Sequence, residues 1–438
     1  MLTLLFVAAG LAPASTQTSS VGLPSGHTET ASASVTGRAL AKDGARRRRP
    51  SSRTHFDLGL DVQLLGGDRT AYSTRPGPIP FFQVNAEVEP NFGNRRWAIA
   101  LPLAFTHRET PGRELRESRG RVGLYGGWSI PKRLWLSAEL GIDGIFRLDW
   151  PDQYQPTTPG NLASTDRYSS WSRRGGASAR WRFTKGASLG LDYDYRLVVY
   201  RQDPNFDPFE APTHLVPDDH QQHRAGLEFA WDPRPFLVRV KLAGWRRDDF
   251  FNFSRDAGTG VTHAGPGGAP PNPLQAYQAL APSLTVGFRT SAGGLTFRYT
   301  TSIVEDPFQG YYSSVTHSPR LNLWWRPESS LKLSAALEVN RRRFGEGAFR
   351  EGRSHPPLDQ GTRRADDWLD LEAELAWKAG QGLELSALIE HRSRDTNFPD
   401  YVPGVYPRGR EYDIAWDYEQ TVASLVVRYR WGNFVDRP

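Results

Sequence analysis

Residues 134–146 read LWLSAELGIDGIF, with Leu134, Leu136, Ala138, Leu140, Ile142, Gly144 and Phe146 on one parity and Ser137, Glu139 and Asp143 on the other. Successive side chains of an extended strand point to opposite faces, so a period of two gives this stretch one apolar and one polar face. No helix presents that pattern, because helical neighbours on one face recur every three to four residues. The stretch is also long enough to cross a bilayer at a tilt as a strand.

The same alternation recurs in both directions. Upstream it appears at 122–130, 97–105, 84–88 and 56–64, and downstream at 177–183, 189–197, 225–231, 236–242, 284–288 and 295–303. It continues at 321–325, 331–339, 369–377, 383–389 and 423–431, which makes sixteen predicted strands in all. The connections alternate in length. Tight turns fall at 91–94, 131–132, 185–186, 232–235, 292–294, 327–329 and 379–382, all containing Gly, Pro, Asn or Asp. Longer polar segments lie near 67–80, 107–119, 149–169, 202–221, 250–274, 306–314, 345–365 and 396–418. Trp97, Trp128, Trp181, Trp231, Trp325, Trp377 and Trp431 stand beside tight turns or close to the last residue. A second aromatic set, including Trp150, Trp171, Phe250, Tyr277, Phe344 and Trp368, stands beside the long loops. Aromatic rings at both strand ends mark two membrane interfaces, whereas a soluble sandwich or propeller has no reason to sort them so. Pro102 and Pro282 fall inside predicted strands and are expected to interrupt the ladder there.

Composition agrees with this reading. The 438 residues include 42 Gly, 33 Pro, 14 Trp, 16 Tyr and 22 Phe, a load suited to many turns and short strands. Mean hydropathy is −0.55, and no run nears the ~18–20 apolar residues of a spanning helix. A barrel strand shows lipid only at alternate residues, so its average hydropathy stays unremarkable. The absence of Cys removes disulfides, thiolate metal sites and Cys nucleophiles together. The net charge of +6 comes from Arg and Lys interleaved with Asp and Glu along the chain, which argues against nucleic acid as a partner. Residues 2–14 form an apolar run ending Ala12-Pro13-Ala14 and are expected to be a signal peptide spanning 1–14. Residues 15–52, rich in Ser, Thr, Gly and Arg, are expected to be a disordered periplasmic tail ahead of the barrel at 53–438.

Over residues 53–438 the chain resembles bacterial outer-membrane barrels of the porin type, and the resemblance is one of architecture. Tyr429 and Trp431 look like the aromatic-x-aromatic ending that such barrels present to the insertion machinery, with Phe434 following. The resemblance implies an antiparallel up-and-down transmembrane barrel in outer-membrane lipid, with short periplasmic turns, long outer loops and both termini periplasmic.

The parity opposite to the apolar one should then line the lumen. It carries Asp57, Asp61, Glu87 and Glu89 early in the chain, and Asp370, Glu372, Glu374, Glu384 and Glu390 late in it. Closure would make these neighbours. Arg174, Arg180, Arg182, Arg239, Lys241, Arg289, Arg298 and Arg320 fall on the far side. Facing walls of opposite sign in a wide barrel favour polar solutes, which predicts a pore. A competing expectation is a salt-bridged, plugged lumen in which Glu139, Asp192, Asp194 and Glu228 pair with neighbouring Arg. Residues 250–274 or 202–221 are long enough to fold inward and narrow the passage. Asp218, Asp219, His220 and His223 form the one metal-like grouping, on a loop, and neither a metal nor another cofactor is expected. Nor is an enzyme expected, since pairs such as Asp256 with His263 arise by chance among ten His. The rival functions are an export conduit for a polymer such as a polysaccharide, working with a periplasmic partner, and a structural barrel. Tyr125, Trp135, Trp245 and Trp324, which share the lumen parity, would serve the conduit as sugar-facing rings.

Overall fold

The structure is a computed structural model and describes residues 55–71, 78–94, 96–110, 115–130, 133–148, 170–200, 219–254, 273–308, 313–345, 365–380, 382–396 and 418–432. The expected signal peptide and tail, and most of the long loops, lie outside these residues.

Every regular element described is a strand. In chain order they are β1 (His55–Ala71), β2 (Pro78–Gly93), β3 (Trp97–Ala100), β4 (Leu103–Thr110), β5 (Leu115–Ile130) and β6 (Leu134–Leu148). Then come β7 (Ser170–Arg182), β8 (Ala187–Tyr200), β9 (His220–Trp231), β10 (Phe236–Phe253), β11 (Leu274–Arg289) and β12 (Gly293–Glu305). The last five are β13 (Ser314–Trp325), β14 (Leu331–Phe344), β15 (Ala365–Lys378), β16 (Leu383–Thr396) and β17 (Tyr418–Gly432). Apart from β3 and β4, which do not pair with each other, neighbours in chain order pair antiparallel, and β17 returns to pair with β1 from Gly59↔Gly432 to Ala71↔Gln420. The sheet is therefore a closed up-and-down barrel.

β3 and β4 are two halves of one stave, which reconciles seventeen strands with sixteen positions around the barrel. Pro102 makes the break, because it has no N–H to give the ladder. The flanking backbone stays bonded: Leu101 N–H donates to the Pro90 carbonyl at 2.9 Å, and Gly123 N–H to the Pro102 carbonyl at 2.9 Å. The Pro102 ring lies over Gly123, where a Cβ would come within 3.1 Å of it. Outward parity survives the break, with Ile99, Leu101, Leu103 and Phe105 all exposed. Pro282 acts more mildly. β11 runs through it, and only the pairs between Leu280↔Ile303 and Ser283↔Thr300 are missing.

The outward face is apolar and the inward face polar. Leu425 is 69% exposed and Ile142 58%, while Glu89 is 1% exposed and Asp61 8%. Burial in a soluble protein runs the other way, so the outer surface demands hydrocarbon as its solvent. The Trp residues beside tight turns point outward and form one girdle, with Trp128, Trp181, Trp231, Trp325, Trp377 and Trp431 all exposed. The second girdle is thinner than the sequence suggests. Trp171 and Phe250 face outward, but Tyr277, Phe344 and Trp368 occupy inward positions, where Arg342 lies 4.3 Å from the Phe344 ring centre and Arg394 5.0 Å from that of Trp368. Their sequence positions near loops were right and their parity decided the matter.

Sixteen strands about 4.8 Å apart and tilted about 40° give a backbone tube roughly 30 Å across. Glycine closes it at a tight approach: Gly432 has φ +77°, and a Cβ there would lie 1.7 Å from the Leu58 carbonyl oxygen.

Leu337→Arg places a charge on the outward face and should lower the folding free energy in liposomes by about 2–4 kcal/mol. Ala336→Arg, one residue away on the inward face, should fold normally in the same urea titration. Equal losses would overturn the face assignment.

Candidate pore wall

The inward face carries charge at most levels, and strand register decides which charges meet. On the acidic side β15, β16, β17, β1 and β2 are consecutive staves. Asp61 sits between Glu87 and Arg430 in register, and Asp57 opposite Asn91. The Asn91 side chain donates to the Glu89 main-chain carbonyl at 3.3 Å. Glu374 accepts from Ser334 at 3.1 Å and pairs with Lys332 at 3.6 Å. Glu384 lies between Lys378 and Arg428 in register. Asp370 is ion-paired with Arg392. Glu372 and Glu390 are direct cross-strand partners, two carboxylates on one stretch of wall.

Cations interrupt this sector. Arg428 Nε donates to Asp61 Oδ1 at 3.0 Å, and Arg394 pairs with Asp366 at 2.9 Å in a buried contact at the long-loop end. Arg428, Arg430, Arg392, Arg394 and Lys332 are absent from the acidic wall expected from the sequence. The signal was present, because Arg428 and Arg430 alternate with Tyr429 and Trp431 and so must face inward.

The basic sector is interrupted likewise. Arg174 lies 3.5 Å from Asp143 and 3.8 Å from Glu139, Arg180 lies 3.4 Å from Glu228, and Lys241 lies 2.9 Å from Asp192. Arg320 pairs with Glu338 at 2.8 Å, and Arg298 approaches the same carboxylate at 3.8 Å. Arg182, Arg239 and Arg289 lie closest to the tight-turn rim. Charge is thus partnered along the wall between neighbouring staves. Both the acidic and the basic sectors keep their majority sign.

One line of register links the two. It passes Arg182↔Ser188↔Ala230↔Arg239↔Thr285↔Arg298↔Arg320, then Glu338↔Asp370↔Arg392. Arg182 ends β7 at the tight-turn rim, whereas Arg392 stands well up β16, so the line climbs the wall as it goes.

The four inward aromatics differ in setting. Tyr125 is buried in the wall, and a Cβ on Gly127 would meet the Trp135 ring at 2.9 Å and the Tyr125 hydroxyl at 3.1 Å. Trp324 is sandwiched: a Cβ on Gly294 would touch its indole nitrogen at 2.6 Å, while Arg326 lies 5.4 Å from its ring centre. Trp245 stands opposite Arg224. Of the metal-like grouping, Asp218 lies outside the described residues, and His223 points outward from β9. Among the described residues no cluster of three His, Cys, Asp or Glu could hold a metal ion. Asp256 and His263 lie outside the described residues, as does most of each loop expected to fold inward.

No protein-family model matches the chain, and no curated protein matches it in sequence. Solved structures similar in shape include Pseudomonas aeruginosa OccD3 (OpdP), at 10% identity and a TM-score of 0.45, over 85% of this chain and 91% of that one. OmpT, an outer membrane protein of Vibrio cholerae, is 12% identical with a TM-score of 0.43, over 86% and 99% of the two chains. A bacterial polysaccharide outer membrane secretin is 10% identical with a TM-score of 0.41, over 85% and 98%. These similarities are too distant to show more, and the barrel stands on its closed strand pairing and its two faces.

The Asp61–Arg428 pair fastens the first strand's neighbourhood to the last. A double-mutant cycle with Asp61→Asn and Arg428→Gln, read as folding free energy, should give a coupling of about 1–3 kcal/mol. Additive losses would show that the closure holds without this pair.

Proposed function

We propose that the chain is a pore of the bacterial outer membrane that passes polar solutes, with its tight-turn rim and both barrel termini on the periplasmic side. The observation that carries the proposal is the charged inward face. A barrel of sixteen staves encloses more space than wall side chains alone fill, and a dry core inside it would be lined with Leu, Ile and Val rather than with Arg and Glu. Ion pairs along the wall hold side chains back against the staves. Glu372 and Glu390 on one side, and Arg182, Arg239 and Arg289 near the rim on the other, are the charges this reading sets along a solute's path. Such a wall favours polar and charged solutes over apolar ones.

The partners in this reading are outer-membrane lipid, the barrel-insertion machinery and a polar solute. Tyr429 and Trp431 are exposed on the outward face of the last strand, where an insertion signal has to be displayed. Transport by diffusion needs no cofactor and no catalytic group.

The refolded chain in a planar bilayer should give steady ohmic conductance steps with modest ion selectivity. Replacing the acid pair by Glu372→Lys and Glu390→Lys should move the cation-to-anion permeability ratio severalfold towards anions while conductance steps persist. An unchanged ratio would remove these carboxylates from the solute path, and a folded but silent barrel would overturn the open pore.

A further inference from the structure

The outward face, apolar in its central band, carries the same three-residue arrangement twice. His223 on β9 has Tyr195 on β8 and Arg246 on β10 as its register partners, and the hydroxyl of Tyr193, two residues from Tyr195, bonds to its Nδ1 at 2.8 Å. His317 on β13 has Thr301 on β12 and Arg341 on β14 as its partners, and the hydroxyl of Tyr299, two residues from Thr301, bonds to its Nδ1 at 2.7 Å. The offsets are identical. In both, Tyr, His and Arg step across three consecutive staves. We infer that the two outward Tyr–His–Arg triplets, Tyr193–His223–Arg246 and Tyr299–His317–Arg341, are binding sites for the phosphate of an anionic lipid in the leaflet at the long-loop side.

Three features support this. The first is level. Trp231, Phe229, Leu227 and Ala225 lie outward between the tight-turn rim and His223, and Trp325, Leu323, Leu321 and Pro319 lie between it and His317. From 223 to 231 and from 317 to 325 is eight residues, which at about 3.4 Å each and a tilt of about 40° is roughly 20 Å of height. The apolar band of such a barrel is about 25 Å tall, so both His rings stand near its far edge, where headgroups begin.

The second is donor geometry. The Tyr hydroxyl bond at Nδ1 fixes each ring, and in the tautomer in which the hydroxyl donates there the ring proton sits on Nε2. Directly opposed side chains on neighbouring strands have Cβ atoms about 5 Å apart, so the imidazole N–H and the guanidinium can bracket one phosphate group. The Arg246 side chain is 65% exposed and bonded to Asp248 at 2.9 Å, and Asp367, the register partner of Arg341, is held by Arg343 at 2.7 Å. In the second triplet Asp367 is held by Arg343, so Arg341 stands beside His317 to face an anion, whereas in the first Arg246 itself holds Asp248 and an anion would meet the His223 ring N–H and share the guanidinium with that carboxylate.

The third is the neighbourhood. Below each triplet lie only residues that face acyl chains, so the anion delivered there at high local concentration is one carried on a lipid. The other outward His residues provide the contrast. His107 bonds to Ser118 and His391 to Thr421, but the other register partner of each, Val84 and Leu371, is apolar where the triplets have Arg.

The inference rests on the membrane-spanning part of the proposed function and not on conduction, so a silent barrel would leave it standing. The test is native mass spectrometry of the full folded chain in neutral detergent, titrated with a diacyl phosphatidic acid and, separately, with the diacylglycerol of the same chains. Phosphatidic acid should be retained and diacylglycerol released. Combined His223→Gln, Arg246→Gln, His317→Gln and Arg341→Gln should weaken retention about tenfold or more, while His107→Gln with His391→Gln should leave it unchanged. Arg341→Gln alone alters an exposed side chain whose carboxylate neighbour is held by Arg343, so it keeps the test decisive if the combined variant does not fold, and it should weaken the same binding measurably. Equal retention of the two lipids, equal binding by the variants, or displacement of the lipid by millimolar inorganic phosphate would overturn the assignment.

Discussion

Closure of the sheet is the constraint on which everything else in this molecule depends. In hydrocarbon an unpaired backbone N–H or C=O costs several kcal/mol, so a sheet with an edge cannot stand there. Pairing of β17 with β1 removes both edges at once, and the chain accepts local awkwardness to keep that ladder whole. At Gly432 the backbone takes a left-handed turn against Leu58 that no side chain would fit. At Pro102 the ladder is broken, yet the carbonyls of Pro90 and Pro102 both find an N–H.

Closure also fixes the neighbours of the charged residues. Asp61 and Arg428 are 367 positions apart in the chain and meet only because the first and last staves are joined. Once an inward face exists, its charges settle with those on adjacent staves, as Lys241 does with Asp192 and Arg320 with Glu338. The inward face consequently carries charge that is locally balanced and only regionally biased.

Much of the barrel is visible in the sequence because its periodicity is uninterrupted: the parity of Leu134 to Phe146 gives the two faces, and the rhythm of loops gives the count. The weakest runs proved longer than their apolar alternation. β2 extends over Pro78–Gly93 although only Val84, Ala86 and Val88 mark it clearly, because Pro80 and Pro90 at its ends can still accept bonds through their carbonyls. Proximity to a loop misled where parity did not, as at Phe344 and Trp368. The site is legible to a lesser depth. Parity tells which residues face inward, but the pairing of Arg180 with Glu228 or Arg174 with Asp143 depends on register, and register is set by turn geometry and stagger that a single run of residues does not express. The outward triplets are invisible for the same reason, since their members lie far apart along the chain.

The stagger has one more consequence. Along the register line that runs from Arg182 to Arg392, Arg239 is the fourth residue of β10, Arg298 the sixth of β12, Glu338 the eighth of β14 and Arg392 the tenth of β16. Each step around the wall is therefore also a step along the axis, and the charges trace a screw thread rather than a ring. A solute that exchanges one charged contact for the next along that thread must rotate about the barrel axis as it advances, and the thread has one hand, set by the chirality of the strands.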